Sequence, residues 1–258
     1  MTEGAPTPAS RVPDSVKRLL TQSFTARDVA EPLASFDAAA AATAVRDFME
    51  SSDFSVVGVR SEGRIAGYVA KEALGEGTCG EFQRPLAEAK IVDDSADLLH
   101  VLLELKDSPF LFVTMLGEAA GIITRSDMQK PAVRMWLFGI VTLVEMRFSE
   151  LVERHSVGDV WKQYLSEARL QKAQALLEER SRRNQKLTVF DCLQFSDKGQ
   201  IIARNEAIRK LTVFASRNQA EETVKRLEKL RNNLAHAQDI LTNDWDTMIQ
   251  LAEFVAHG

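Results

Sequence analysis

The chain has very little cysteine. Two residues in 258, Cys79 and Cys192, leave no material for a disulfide framework, and neither sits in a C-x-x-C or Cys/His spacing that would hold zinc. Such a chain fits a reducing compartment, and a cytoplasmic location is the expectation. There is no surplus of positive charge either. Thirty-two Lys and Arg face 37 Asp and Glu, a formal net charge of −5, so the surface as a whole does not invite nucleic acid and any RNA contact has to be local. Long hydrophobic runs are missing. The most apolar stretch, near Met135 to Met146, is interrupted by Glu145 and followed by Arg147, too short and too charged to span a bilayer, so no membrane partner is expected. Met1 to Asp14 carries three prolines and no apolar h-region. It reads as a disordered tail rather than a signal peptide, and residues 1–22 are assigned to such a disordered or extended segment. P-loop, G-x-S-x-G, H-E-x-x-H and Rossmann fingerprints are all absent.

What is present is enough apolar residue, 45%, to build the cores of two ordinary domains. The first half contains an internal repeat. Ser55-Val56-Val57-Gly58-Val59, followed by Arg64-Ile65-Ala66-Gly67-Tyr68-Val69-Ala70, parallels Phe110-Leu111-Phe112-Val113, followed by Ala119-Ala120-Gly121-Ile122-Ile123-Thr124, with Gly67 and Gly121 54 positions apart. Each copy reads as a helix, a strand, a Gly-containing turn, a second strand and a polar helix start. The preceding helices are predicted at Asp37 to Glu50 and Ser95 to Lys106. In the second, Leu98, Leu99, Leu102, Leu103 and Leu105 supply an apolar face and Asp94 or Ser95 the N-cap. Ser61-Glu62-Gly63 and Leu116-Gly117-Glu118 are short hairpin connections.

This repeat, over roughly Ser23 to Lys130, resembles a tandem pair of CBS domains, a Bateman module. The sharpest motif is Gly121-Ile122-Ile123-Thr124-Arg125-Ser126-Asp127-Met128, which matches the family's G-h-h-T-x-x-D pattern. The resemblance implies an adenine nucleotide (AMP, ADP or ATP) as a regulatory ligand, with Thr124 at a phosphate, Arg125 beside it and Asp127 accepting from both ribose hydroxyls. Segment Lys90-Ile91-Val92 and the strand start Pro109-Phe110 would close the site. A helix start offers N–H groups to an anion, and a carboxylate is an acceptor suited to paired hydroxyl donors. The first copy departs from the pattern. Ala70 stands at the Thr position and Ala73 at the Asp position, so one competent site per chain is expected. The plainer alternative stays open: Thr124 caps the next turn and Asp127 stabilises it.

Near Pro131 the character changes. Pro131 suits the first turn of a helix, and Leu137, Ile140, Val141, Val144, Phe148 and Leu151 form one stripe from Val133 to Arg154. Ser156 to Asp159 is a break. One or two helices follow from Val160 to Arg183. Leu187 to Phe195 is a short apolar segment, strand or buried helix, ending in a turn at Ser196 to Gly199. Further helices are predicted at Asn205 to Ala215, Glu221 to Leu241 and Asp244 to Ala256. The fold class is therefore an α+β pair, residues 23–130, followed by an all-α bundle, residues 131–258.

Within the Glu221 to Leu241 run, Leu227, Leu230, Leu234, Ala237 and Leu241 make one apolar stripe. Asn232 and His236 fall opposite it, with Arg231 on its flank. The hexapeptide Arg231-Asn232-Asn233-Leu234-Ala235-His236 resembles the R-x4-H signature of the HEPN superfamily of helical bundles. That resemblance implies a metal-independent endoribonuclease in which His236 takes the proton from an RNA 2′-hydroxyl, Arg231 stabilises phosphate charge and Asn232 orients the phosphate or the His, leaving 2′,3′-cyclic phosphate ends and needing no cofactor. It equally admits an inactive bundle serving as a non-catalytic nucleotide-sensing module. Both imply a homodimer, and the first an RNA substrate. Glu145 and Glu150 on the first bundle helix read as solvated residues, as do His100, His155 and His257. The cluster Arg180, Arg182, Arg183 and Lys186 reads as a solvated helix face.

Overall fold

The computed structural model describes residue 18, residue 20 and residues 22–257, so the tail expected over Met1 to Asp14 lies outside the described residues. The chain divides into two compact units, one of Thr21–Arg134 and one built from Met135 onward.

The first unit contains two four-stranded sheets. Strands β1 (Glu31–Pro32), β8 (Glu118–Thr124), β7 (Phe110–Met115) and β6 (Ile91–Asp93) form one; β2 (Ser35–Asp37), β3 (Val56–Ser61), β4 (Arg64–Ala70) and β5 (Arg84–Pro85) form the other. The two halves match in detail. β2 runs parallel to β3 as β6 does to β7, and each continues into an antiparallel hairpin. The register slips at Val59/Arg60 in one hairpin and at Val113/Thr114, 54 positions on, in the other. Both hairpins close over two residues with positive φ, Glu62 and Gly63 in one, Leu116 and Gly117 in the other, which suits the right-handed twist of the strands.

Each sheet ends on a two-residue strand whose second residue is proline, placed opposite the repeat's glycine: Pro85 faces Gly67 and Pro32 faces Gly121. Proline lacks the ladder donor and so sits at an edge. At Gly67 a Cβ would collide with the carbonyl oxygen of Arg84, so only glycine lets this edge approach. β1, which precedes the first repeat, completes the sheet of the second. The halves are therefore interlocked, a pairing that the repeat in sequence did not reveal.

Helices α1 (Ala42–Ser51) and α2 (Leu98–Lys106) follow the parallel strands and bury Val45, Met49, Val101, Leu102 and Leu105. Both start later than predicted, because Asp37 and Asp93 are spent in strands β2 and β6. The N-cap of α2 is Asp97, whose carboxylate accepts from the His100 N–H at 2.8 Å. Asp94 instead is buried and ion-paired to Arg27, and Ser95 bonds to Asp93. The expected polar helix starts after β4 and β8 are single 3-10 turns, Lys71–Ala73 and Arg125–Gln129. Tyr68, Phe110 and Phe112 meet with ring centroids 5.2–5.9 Å apart beside Leu33 and Val56.

The second unit is helical. α3 (Pro131–His155) begins at the predicted proline, and all six residues of its predicted stripe are buried. α4 (Glu167–Arg182) follows a 3-10 turn at Val160–Tyr164. Leu187 to Phe195 forms no strand; it supplies a 3-10 turn, Phe190–Cys192, and the first residue of α5 (Phe195–Arg204). The turn expected at Ser196 to Gly199 is thus the first part of a helix, started by Asp197, whose carboxylate accepts from the Gln194 N–H at 3.0 Å. Asn205 to Ala215 yields only α6 (Glu206–Arg209), capped by Asn205. α7 (Arg217–Ala235) and α8 (Leu241–His257) complete the unit. The long run predicted to Leu241 breaks at Ala237, which has φ 52°, so Ala237 is exposed and Leu241 opens the next helix. Phe148 stacks on Phe195 at 5.7 Å, and Gly199 brings α5 against Val224 of α7. No helix of the described residues is long and apolar enough to cross a membrane.

Candidate functional site

The first unit holds a cleft of about 860 Å³ at the end of β8, within the size range of small-molecule sites. Thr124, Arg125, Ser126 and Asp127 form one wall, Lys106 to Pro109 another, and the segments Glu31 to Ala34 and Asp53 to Val56 the rest. Asp127 Oδ2 accepts from the Thr124 N–H at 2.7 Å and from Thr124 Oγ1 at 2.9 Å, and Ser126 Oγ lies 2.8 Å from Thr124 Oγ1.

This T-x-x-D bonding recurs at Thr25/Asp28 and at Thr188/Asp191, the latter in the helical unit. The pattern is by itself a turn cap. At Thr124 the cap faces a cleft, and the cleft is the added feature.

Behind the wall stands Lys130. Its ammonium donates to the Val29 carbonyl at 2.6 Å, to Glu31 at 2.5 Å and to Asp127 Oδ1 at 2.9 Å. Burial alone would lower its pKa, but the hydrogen bonds to Glu31 and Asp127 outweigh that and hold it above the ordinary lysine value. Asp127 is therefore an ion-paired carboxylate that is only 8% exposed. With one bond on Oδ1 and two on Oδ2 it keeps acceptor capacity for a further donor, since an ionised carboxylate offers about four lone-pair sites. Arg125 donates to the Leu105 and Lys106 carbonyls at 3.3 and 3.0 Å, where it caps the end of α2.

Of the residues expected around a ligand, Thr124, Arg125, Asp127 and Pro109 line the cleft. Ile91 and Phe110 lie outside its lining: Ile91 is exposed on β6 and Phe110 is packed with Tyr68 and Phe112. In the first repeat Ala70 and Ala73 flank a turn with no side-chain cap. Glu31, Asp53, Lys106, Asp107 and Lys130 were missed. A sequence signal existed for the first of them. Thr25-x-x-Asp28 with Pro32, and Thr78-x-x-Glu81 with Pro85, repeat 53 positions apart, and each threonine bridges the residue just before a repeat helix, Asp97 and Ala41.

In the helical unit Asn232 and His236 are exposed and Arg231 is half-buried. His236 is the C-cap of α7, its N–H donating to the Asn232 carbonyl at 3.0 Å. Five residues of helix separate Arg231 from His236 by roughly 140° about the axis, so the two do not share a face. Arg231 lies 3.9 Å from Glu145 on α3, and Glu145 is also 3.1 Å from Lys198 on α5. Glu145, expected as a solvated residue, thus joins three helices. Glu150 departs further from that expectation. It is 4% exposed and ion-paired to Arg147 at 3.1 Å and Arg154 at 2.6 Å. The neighbouring Asn233 donates to buried Asp244 at 2.6 Å, tying α7 to α8. Arg180, Arg182, Arg183 and Lys186 are exposed, with Arg183 paired to Glu179 at 2.7 Å, and His100 and His155 are exposed. Among the described residues no group of three or more His, Cys, Asp or Glu is placed to hold a metal ion.

The described chain is thus an α+β unit of two interlocked repeats joined to a helical one. No family model matches the sequence, and no curated protein matches it. Solved structures that resemble it are CBS-domain proteins, and the likeness falls on the N-terminal part. CBSX2 in complex with AMP, a protein also solved from Arabidopsis thaliana, is 19% identical, with 43% of this chain and 98% of that chain covered and a TM-score of 0.37. A CBS domain-containing protein of unknown function from Bacillus anthracis is 15% identical, with 42% and 91% covered and a TM-score of 0.37. The CBS domain of a bacterial CNNM/CorC family Mg2+ transporter in complex with ATP is 18% identical, with 46% and 93% covered and a TM-score of 0.37.

Proposed function

We propose that the chain is a nucleotide-responsive regulator: the first unit is a CBS pair that binds an adenine nucleotide, and the helical unit carries the output. The observation that carries this reading is the cleft over Thr124, Ser126 and Asp127, with alanines at the equivalent Ala70 and Ala73. The N–H groups that open the turn after Thr124, with the Ser126 hydroxyl turned from Thr124 toward a ligand, suit a phosphate, and the ion-paired Asp127 suits ribose hydroxyls. Titration calorimetry on nucleotide-free protein tests it. About one adenine nucleotide should bind per chain, and Asp127→Ala should weaken binding by about 1.5–3 kcal/mol, the worth of charged hydrogen bonds. No heat with AMP, ADP or ATP would end this reading.

A second reading concerns the helical unit. Asn232 and His236 are exposed at the end of α7 with Arg231 beside them, which supports a HEPN-type, metal-independent endoribonuclease. Arg231 and His236 point in different directions within one chain, so a working site draws on a homodimer, the commonest closed assembly. Single-stranded RNA should then be cut in EDTA to 2′,3′-cyclic ends, and His236→Ala should abolish cutting. A monomer by light scattering, or cutting that survives in His236→Ala, removes the nuclease and leaves the non-catalytic sensing module.

A further inference from the structure

The charges around the cleft limit what it can hold. Four carboxylates line it, Glu31, Asp53, Asp107 and Asp127, against two cations, Lys106 and Arg125. Lys130, behind the wall, serves both Glu31 and Asp127 with one positive charge. Arg125 is held on the carbonyls of Leu105 and Lys106. Those carbonyls are the C-terminal end of α2, the negative end of its dipole, and Asp107 is the C-cap of that helix. Even with Lys130 counted, the carboxylates outnumber the cations. No group of three or more His, Cys, Asp or Glu among the described residues is placed to hold a divalent cation that would make up the difference.

A polyphosphate brings charge that such a lining does not neutralise. A phosphomonoester carries about −1.5 to −2 at neutral pH, and each further phosphate adds roughly one more negative charge. The N–H groups that open the turn after Thr124, with the Ser126 hydroxyl, supply neutral donors for one phosphate group, the donors of Thr124 itself being used on Asp127. Asp53 and Asp107 line the same cleft and are exposed, so a second or third phosphate shares the cleft with their charges.

We infer that the cleft selects a nucleoside monophosphate and rejects the di- and triphosphates, with Asp53 and Asp107 setting the limit on phosphate number. This rests on the nucleotide-site reading above and goes further, because it names the ligand class and the residues that choose it. Both aspartates can be neutralised without disturbing the backbone. Asp53 has φ 56°, a conformation that asparagine tolerates as well as aspartate, and Asp107 is exposed after the last turn of α2.

The experiment is a calorimetric titration of the full chain with adenosine, AMP, ADP and ATP, with and without Mg2+, at low and high salt. AMP should bind tightest and ATP about tenfold or more weaker, the order of magnitude expected of a few like-charge pairs at ~10 Å in water. The gap should shrink at high salt as screening sets in. The double variant Asp53→Asn/Asp107→Asn should reduce the AMP-to-ATP ratio about three- to tenfold, with AMP affinity changed less than about threefold. ATP binding as tightly as AMP, with or without Mg2+, overturns the inference and leaves the nucleotide site standing. A double variant with an unchanged ratio also overturns it. Absence of binding by all four ligands removes the site reading itself and this inference with it.

Discussion

Lys130→Met removes an ammonium and keeps a stem of similar length, so it isolates the charge that holds Asp127. In the native fold all three donors of Lys130 are used, on Val29, Glu31 and Asp127. Removing one partner of a buried ion pair costs about 3–5 kcal/mol because the other charge is stranded. Here the lysine side chain is 27% exposed and its Asp127 partner 11% exposed, and Asp127 keeps two bonds to Thr124, so about 2–3 kcal/mol is the reasoned cost. For a unit of this size that lowers the melting temperature by about 10–20 °C. The pH dependence has a definite sign. The folded pKa of Lys130 lies above its ordinary value, so its contribution is complete below the unfolded lysine pKa of about 10.4 and is lost as pH rises through the folded value. Wild type should therefore lose stability in that alkaline window, and Lys130→Met should lose less. The sequence supplies the assay. All three tryptophans, Trp136, Trp161 and Trp245, lie beyond residue 134, so tryptophan fluorescence follows the helical unit while far-UV circular dichroism follows both. The variant should shift a dichroism transition. A melting curve within about 2 °C of wild type, or the same alkaline loss in both proteins, would refute the reasoning.

Three further outcomes follow from specific contacts. Asn233→Ala should destabilise the helical unit by about 1–3 kcal/mol by leaving the buried Asp244 carboxylate without that donor, whereas Asn232→Ala, at an exposed position, should stay within about 0.5 kcal/mol; urea denaturation separates the neighbours. At Gly199 an added Cβ would sit 2.6 Å from Val224 Cγ2, so Gly199→Ala should cost about 1–3 kcal/mol by overpacking, and Val224→Ala in the same chain should recover part of it in a double-mutant cycle. Leu116 is fully exposed with φ 52°, so Leu116→Asn should raise the stability of the first unit by a few tenths of a kcal/mol or more, read as a rise in melting temperature.

Much of the first unit was legible in the sequence because its signals are local. The period-2 runs, the Gly-containing turns and the 54-residue spacing mark two copies of one hairpin, and the same bulge and turn geometry appears in both. The helix starts were less legible. Asp94 and Ser95 look like caps from composition, yet Asp94 is drawn into an ion pair with Arg27, 67 positions away, and the cap falls to Asp97. In the helical half, the six residues read as the stripe of α3 are all buried because they recur at helical spacing, but the helix also buries Val133, Trp136, Leu143 and Val152, which that stripe left out. The short stretches between Leu187 and Ala215 were not legible, because runs of that length take the conformation that packing leaves them.

What the sequence by itself determined is the repeat, the T-x-x-D turn at Thr124 with its alanine counterparts, the position of Pro131 at a helix start and the outward placement of Asn232 and His236. Apart from the repeat, which a fixed 54-residue offset reveals, each depends on residues within a turn or two of one another. Only the tertiary structure decided the rest: that β1 completes the sheet of the other repeat, that Glu31 joins Lys130 and Asp127, that Asp53 and Asp107 line the same cleft, and that Glu145 bridges α5 and α7. These are pairings between residues distant along the chain. A pattern of periods and caps reports which way a side chain faces on its own element, but it does not report which other element's charge it will meet once the strands are paired and the helices packed.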